Sequence, residues 1–307
     1  MAITRNLPST NISFNRALQK GKKKNDDTPP LERFLSTDTQ NRLNLLAPNY
    51  KGKMLIVNQK EATSINATSL KNISLGKLEM KTSHFLQVFN LTVAEGIATP
   101  GDRAYYGMSA SSGAIPLLGS EAQIVEAAEK VVSGEPARVA AGGTANPFPL
   151  VADVALLLTD FQTKSGLHST AAQALDTAQE TVTALNTEAL GVVKKVWDEV
   201  ETFYNEEAIE SKRANARQYG VVYVSTEAFI VSGRLKLTAT GLPPASATIE
   251  LAETGAAAEY DAASGVFKLT TGLTGEGTLH ITSPGLADKD VTVAMTGSDV
   301  EVGEVLL

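Results

Sequence analysis

Cysteine is absent from the 307 residues of the chain, and histidine is scarce. The first absence excludes disulfides, cysteine-ligated zinc sites and thiol nucleophiles. The three histidines, which could carry protons near neutral pH, are far apart in sequence, at His84, His168 and His280. No H-E-x-x-H spacing or similar ligand pattern occurs. We therefore expect each histidine to have a core or surface role, and we expect no cofactor and no metal.

Segments that commonly hold a phosphate or a nucleophile are also lacking. The glycine-containing runs GLTGEG (272–277) and VAAGGT (139–144) are not followed by Lys-Ser/Thr on a helix, as a P-loop requires. The run SASSGA (109–114) lacks the strand–elbow–helix context of a nucleophilic serine. The acidic run WDEVETFYNEE (197–207) has no second helix with Glu-x-x-His, which a di-metal carboxylate site needs. The sequence favours a protein that is not an enzyme; unfamiliar carboxylate chemistry is the alternative.

Long apolar runs and an excess of positive charge are missing as well. The stretch VADVALLL (151–158) is too short to span a bilayer, and residues 1–30 contain no apolar segment of a secretory signal. The net charge of −7 and the pI near 5.2 argue against nucleic-acid binding. We expect synthesis in the cytoplasm without a signal peptide, no membrane insertion and no nucleic-acid partner. Incorporation into a particle or filament that is later exterior stays open.

The chain is long enough for two domains, each with its own core. Residues 1–28 are polar and precede two prolines, which predicts a flexible arm outside the core. Residues 29–219 carry apolar side chains at helical spacing and predict a mainly helical domain. From residue 220 apolar side chains recur at every second position, in short runs that are separated by turn residues. The arm contains a basic cluster, expected to be solvated: Lys20, Lys22, Lys23 and Lys24.

The helical region predicts several helices that need neighbours. A helix that begins near Leu31 is expected to end before Pro48. Residues 150–203 have apolar side chains alternately three and four apart, which indicates a heptad-like seam. A break near Asn186 would give a long hairpin, and one uninterrupted helix of about 65 residues is the alternative. Neighbouring helices could come from this chain or from another subunit.

Residues 220–307 predict an antiparallel β-sandwich of about seven strands. The fold class expected is therefore segregated α+β, with a helical domain containing long helices followed by a sandwich. The segments SGRLKLTATGLPPASATIEL, DAASGVFKL and GTLHITSPGLADKDVTV, within residues 232–307, resemble the carboxypeptidase regulatory-like and, more broadly, the immunoglobulin-like sandwich. That resemblance implies a fold and a spacer, adhesion or packing role rather than an activity. The helical part, with SHFLQVFN and DRAYYGM, is similar to uncharacterised bacterial proteins of Bacteroidota genomes, and this implies no role.

The segment GDRAYYG (101–107) is the most suggestive local feature. Arginine and tyrosine are enriched at binding hot spots, and tryptophan is as well. The alternative is that the tyrosines pack the loop onto helices, that the arginine caps a helix end, and that the tryptophan is a core residue. The candidate interface residues are Arg103, Tyr105, Tyr106 and Trp197.

Two functional hypotheses follow. The first is a structural subunit of a larger assembly, such as a phage-tail-like particle, a sheath or a filament, with the sandwich outward. Its partners would be copies of itself or other assembly subunits. The alternative is an adaptor that recognises a protein or a glycan through the sandwich.

Overall fold

The computed structural model describes residues 2–307 and shows two compact units. The sheet unit contains residues up to Ile56 together with Gln179–Leu307, and the helical unit contains Val57–Ala178. The helices are α1 (Asn11–Asp27), α2 (Thr37–Ala94), α3 (Glu121–Ala140), α4 (Val151–Phe203) and α5 (Ile209–Gln218). The strands are β1 (Ile3–Arg5), β2 (Tyr223–Lys236), β3 (Thr248–Leu251), β4 (Ala256–Ala257), β5 (Glu259–Asp261), β6 (Val266–Leu273), β7 (Gly275–Thr282), β8 (Lys289–Met295) and β9 (Val300–Leu306). The predicted order, with long helices before the main sheet region, is confirmed.

Helix α1 lies where the sequence predicted an arm, and this part of the prediction is wrong. Thr10 caps the helix by accepting a hydrogen bond from the backbone N–H of Ser13 at 3.2 Å. Phe14, Ala17 and Leu18 are each no more than 7% exposed and belong to the core of the sheet unit. The buried apolar residues form a narrow stripe, and the lysines lie on the other sides of the helix. Because the segment is polar on average, its amphipathic character was not recognised from the sequence.

Helices α2 and α4 continue through positions where the sequence predicted an end or a break. Helix α2 has 58 residues and continues through the exposed Pro48. Helix α4 has 53 residues, so the predicted hairpin is wrong and the uninterrupted helix is correct, although it is shorter than expected. Asn186, the expected break, accepts a hydrogen bond from the Tyr50 hydroxyl at 2.7 Å and donates one to Asn11 at 2.9 Å. These tertiary partners satisfy an amide that would otherwise disfavour the helix.

Within the sheet unit, the ends of these two helices run antiparallel. Lys195 lies 2.9 Å from Asp38, whereas Asn186, earlier in α4, bonds to Tyr50, later in α2. In the helical unit, Ser74 donates to Asp160 at 2.6 Å and Lys81 lies 3.8 Å from Asp153, so the two helices are antiparallel there as well. None of the helices in residues 2–307 combines the length and hydropathy of a membrane-spanning segment.

The strands of the sheet unit form two sheets. One has the order β1-β2-β6-β5, with β9 also paired to β2, and the other has the order β4-β3-β7-β8. The pairing of β2 with β9 is parallel, whereas the sequence predicted an antiparallel arrangement throughout. A Cβ added to Gly277 would lie 2.7 Å from Leu273 and 3.0 Å from Leu251, which belong to different sheets. The two sheets therefore pack closely at this glycine.

The helical unit has its own core, built from α2, α3, α4 and the loop between α2 and α3. Alanine and valine side chains let α3 approach the larger aromatic side chains of α2. The buried cluster comprises Leu78, Phe85, Leu86, Phe89, Tyr106, Met108, Ile124, Ala128, Val131, Val154, Leu158 and Phe161.

Candidate functional site

A cleft of about 530 Å³ lies within the sheet unit, between α1, α5, the start of β2 and the turn that joins β6 to β7. Its walls carry more cationic than anionic side chains, although the whole chain is acidic. The cationic residues are Arg16, Lys20, Lys23, Lys24 and Arg217, and the anionic residues are Asp27, Glu253 and Glu276.

Two of these carboxylates are already engaged with cations. Arg16 Nε lies 2.7 Å from Glu253 Oε1, and Glu253 Oε2 also accepts a hydrogen bond from the backbone N–H of Thr278 at 2.8 Å. Lys23 Nζ lies 2.6 Å from Asp27. Within the described part of the chain, three cleft cations have no carboxylate partner within 4.0 Å, and they are Lys20, Lys24 and Arg217.

Burial without an ion pair disfavours the charged forms of two of these side chains. Burial lowers the pKa of the Lys20 ammonium, an effect that Glu253 opposes and that nearby Arg16 increases. Burial likewise lowers the pKa of the Arg217 guanidinium. For both side chains the effect of desolvation exceeds the opposing effect of nearby carboxylates, which include Glu210 for Arg217. The cleft therefore holds two partly buried cations in an unfavourable environment.

Glycines allow the surrounding chain to approach these cations. Gly220 has φ of +86°, and a Cβ there would lie 3.2 Å from Lys20 Cβ. Gly275 has φ of +98°, and its missing Cβ would lie 2.6 Å from Arg217 Nε. Arg217 also donates to Thr274 Oγ1 at 3.1 Å, and its guanidinium carbon lies 5.5 Å from the centre of the Tyr223 ring. Larger residues at the two glycines would be strained and would crowd the cations.

Three buried N–H groups of cleft residues have no hydrogen-bond partner among residues 2–307. They are the indole Nε1 of Trp197, Nε of Arg217 and Nε of Arg16, although Arg16 Nε forms an ion pair with Glu253. Trp197 lines the cleft although the residue is 0% exposed. Buried donors are normally paired, so these groups are exceptions in the cleft wall. Chemically, the arrangement can bind an anion with several acceptor oxygens.

Known proteins give no family for this chain. No protein-family model matches the sequence, and no curated protein matches it. The resemblance of residues 232–307 to carboxypeptidase regulatory-like sandwiches therefore stays a prediction.

The candidate interface residues predicted from sequence fall in different units. Tyr106 belongs to the helical unit and Trp197 to the sheet unit, and both are 0% exposed. The ring centre of Tyr106 lies 4.6 Å from that of Phe89, and its hydroxyl donates to Glu135. Both side chains are therefore packed in the cores of their units, as the alternative core roles describe, and contact of either residue with a partner stays a prediction.

The other two predicted residues lie nearer the surface of the helical unit. Arg103 donates to Asn90 Oδ1 at 2.8 Å and to the carbonyl oxygen of Ala110 at 3.0 Å. It therefore holds the loop in place rather than capping a helix end. Tyr105 is 37% exposed and remains a candidate for contact with a partner.

A buried ionic cluster in the helical unit was missed by the sequence analysis. Glu135 and Arg138 are 3% and 2% exposed, and their side chains lie 2.9 Å apart. Glu135 accepts from the backbone N–H of Asn146 at 2.6 Å, and Arg138 donates to Tyr106 at 2.7 Å. The three-residue spacing places both charges on one helix face. No sequence signal shows that this face is buried.

The outer face of α2 in the helical unit carries exposed apolar side chains. Their exposed fractions range from 41% to 65%. Their successive spacings of three, seven and eleven residues place them on one side of the helix. We define the outer apolar face of α2 as Leu70, Ile73, Met80 and Leu91.

Proposed function

We propose that the protein is a structural subunit of a larger assembly and not an enzyme. The assembly could be a phage-tail-like particle, a sheath or a filament, in which the sheet region faces outward. The observation that carries the proposal is the outer apolar face of α2. Exposed apolar side chains that recur on one side of a helix are typical of a site of protein contact. The resemblance of residues 232–307 to spacer and packing modules supports the same role.

The outer apolar face is large enough to support association but too small to hold a permanent complex alone. Fully burying a side chain of this size contributes about 1.5–3 kcal/mol, and roughly half of each is still exposed. Two symmetric faces together therefore contribute roughly 6–12 kcal/mol, against an association penalty of about 4–15 kcal/mol. Association through this face should be concentration-dependent and should be strengthened by further contacts in the assembly.

Sedimentation velocity of the full chain tests the role of the face. We expect the wild type to form species larger than 32.3 kDa as its concentration rises. The double variant Ile73→Glu, Met80→Glu should need a concentration at least about tenfold higher for the same association, since charges would be buried at the contact.

Asn72→Glu is the matched control, because it adds a negative charge to an exposed position on another side of the same helix. It should associate like the wild type. Equal behaviour of all three proteins would remove the outer apolar face from the proposal. A wild-type monomer at every concentration would contradict self-association and favour the adaptor role.

A further inference from the structure

The cleft of the sheet unit has unbalanced charge that the proposed assembly role does not explain. Once the Arg16–Glu253 and Lys23–Asp27 pairs are set aside, one carboxylate, Glu276, remains against three cations. The described residues provide no acceptor for the indole N–H of Trp197. These features lie within one unit and share one cavity.

We propose that this cleft is a binding site for the phosphate group of a small molecule, with Lys20 and Arg217 as the main ligands. Lys24 adds positive charge, and Trp197 lies in the wall of the same cleft. The proposal is independent of self-association and adds a ligand to the protein.

Charge and donor number favour phosphate over a single carboxylate. Three unpaired cations and Glu276 leave two positive charges uncompensated, which a phosphate dianion would neutralise. Phosphate also presents three acceptor oxygens, and the unpaired cationic donors Lys20 and Arg217 come from separate elements, α1 and α5. Arginine and lysine are the residues that most often bind phosphate in proteins.

The dimensions of the cleft indicate that the ligand is more than a free phosphate ion. A volume of about 530 Å³ falls within the range of about 300–1,000 Å³ typical of small-molecule sites. Part of the wall is apolar, formed by Val221, Val222 and Leu273. A phosphate ester with a compact apolar or aromatic group fits both features.

The carboxylates of the chain do not replace this ligand. Glu253 is held on one oxygen by Arg16 and on the other by the backbone of Thr278, so it is not free to turn towards Lys20. Glu276 is exposed and forms no ion pair within 4.0 Å in the described residues. Its charge would repel a phosphate, so removing that charge should strengthen binding.

Fluorescence of Trp197 gives a direct test, because it is the single tryptophan of the chain and lines the cleft. The probes are inorganic phosphate, phenyl phosphate and acetate, titrated into the full-length protein at constant ionic strength with sodium chloride as balance. We expect saturable changes with both phosphates below about 10 mM, with phenyl phosphate binding more tightly, and no saturation with acetate in that range.

Substitutions in the cleft separate phosphate binding from general effects on folding. Lys20→Met and Arg217→Met should each weaken phenyl phosphate binding by roughly 30-fold or more. Glu276→Gln should strengthen binding by a factor of about 2 to 5. Lys22→Met is the control on the same helix, because Lys22 pairs with Asp26 and does not line the cleft. This variant should bind like the wild type.

Thermal unfolding without ligand shows whether a variant that loses binding is still folded. Lys20→Met removes an unpaired, partly buried charge, so it should melt at the wild-type temperature or higher while losing the phosphate-induced increase. Absence of a saturable signal in the wild type would overturn the proposal. So would unchanged binding in Lys20→Met and Arg217→Met, or acetate saturating at the same concentrations as phosphate.

Discussion

The strongest polar interactions of the helical unit are concentrated in one buried group of side chains. Glu135, Arg138 and Tyr106 hydrogen-bond to one another, and Arg138 also donates to the carbonyl oxygen of Thr144 at 2.6 Å. The guanidinium carbon lies 5.0 Å from the centre of the Phe89 ring. Every charge has partners, so the group can be buried; removing one member leaves another uncompensated.

Arg138→Met tests this dependence. It should lower the free energy of unfolding by about 3–5 kcal/mol, because Glu135 would remain buried without its cation. Denaturant unfolding followed by circular dichroism measures the change. Lys130→Met on the same helix removes only the surface contact with Glu126 and should leave the transition midpoint unchanged. A midpoint for Arg138→Met equal to that of the wild type would show that the ionic cluster does not stabilise the unit.

Buried tyrosines predict a loss of stability at alkaline pH. Burial raises the pKa of Tyr50, Tyr106 and Tyr223 above the ordinary value, and hydrogen bonds to Glu135 and Glu201 raise it further for Tyr106 and Tyr223. A tyrosine with a raised pKa in the folded state favours folding below the pKa of the unfolded chain, and this contribution is lost as pH rises. The free energy of unfolding should therefore fall from about pH 10 upward.

Unfolding measured between pH 8 and 12 checks this prediction. The fall should be shallower in Tyr106→Phe, which lacks one of the buried hydroxyls whose pKa is raised. A wild-type stability that stays constant over this range would show that the tyrosines ionise equally in the folded and unfolded chains.

At the scale of elements, continuity of α4 is the main difference from the sequence prediction. The residues around Asn186 predict an interruption of the helix, because Asn and Thr have low helix propensity. In the structure Asn186 is instead an interior helical residue that bonds to Tyr50 and Asn11. Such contacts come from distant parts of the chain and are not readable from local spacing.

Thr187→Pro distinguishes a continuous helix from a hairpin at this point. Thr187 is exposed and lies inside α4, so proline should destabilise the protein by about 3 kcal/mol or more through a lost hydrogen bond and a steric clash. Thr187→Ala should be neutral or slightly stabilising, since alanine favours helix. Denaturant unfolding measures both variants. Equal stability of the two would place a turn at residue 187.

The spacing of apolar residues largely predicted which segments form helices and which form strands. It did not predict several of the ends of these elements or their packing partners. Apolar spacing of 3.6 identified the face of α4 that includes Val193, Val196 and Val200, and these residues are buried. Helix α1 was missed because the lysines around a narrow apolar stripe dominated its composition. Strand β1 is only three residues long, and it is stabilised by pairing with β2, far away in sequence.

At the scale of the molecule, the boundary between the two compact units does not lie at residue 220, where the spacing of apolar residues changes from helical to strand-like. The sheet unit includes both sheets together with α1, α5 and the ends of α2 and α4. Arg5 lies 2.7 Å from Asp198, and Tyr223 donates to Glu201 at 2.6 Å, so β1 and β2 contact α4 within the sheet unit. The predicted boundary between a helical domain and a separate sandwich therefore differs from the compact units.

The cleft could not be assembled from the sequence for the same reason. Lys20 and Lys24 were visible as part of a basic cluster, but their nearness to Arg217 and Trp197 depends on how α1 packs in the sheet unit. The outer apolar face of α2 was likewise hidden, because apolar residues on two sides of a helix weaken any periodic signal.

The central claim is that the chain associates with other copies of itself to act as a structural subunit. Multi-angle light scattering of the purified full-length protein across a wide concentration range tests it most directly. We predict a weight-average mass that rises above 32.3 kDa with concentration, towards multiples of that value. A constant mass of 32.3 kDa at every concentration would contradict the account.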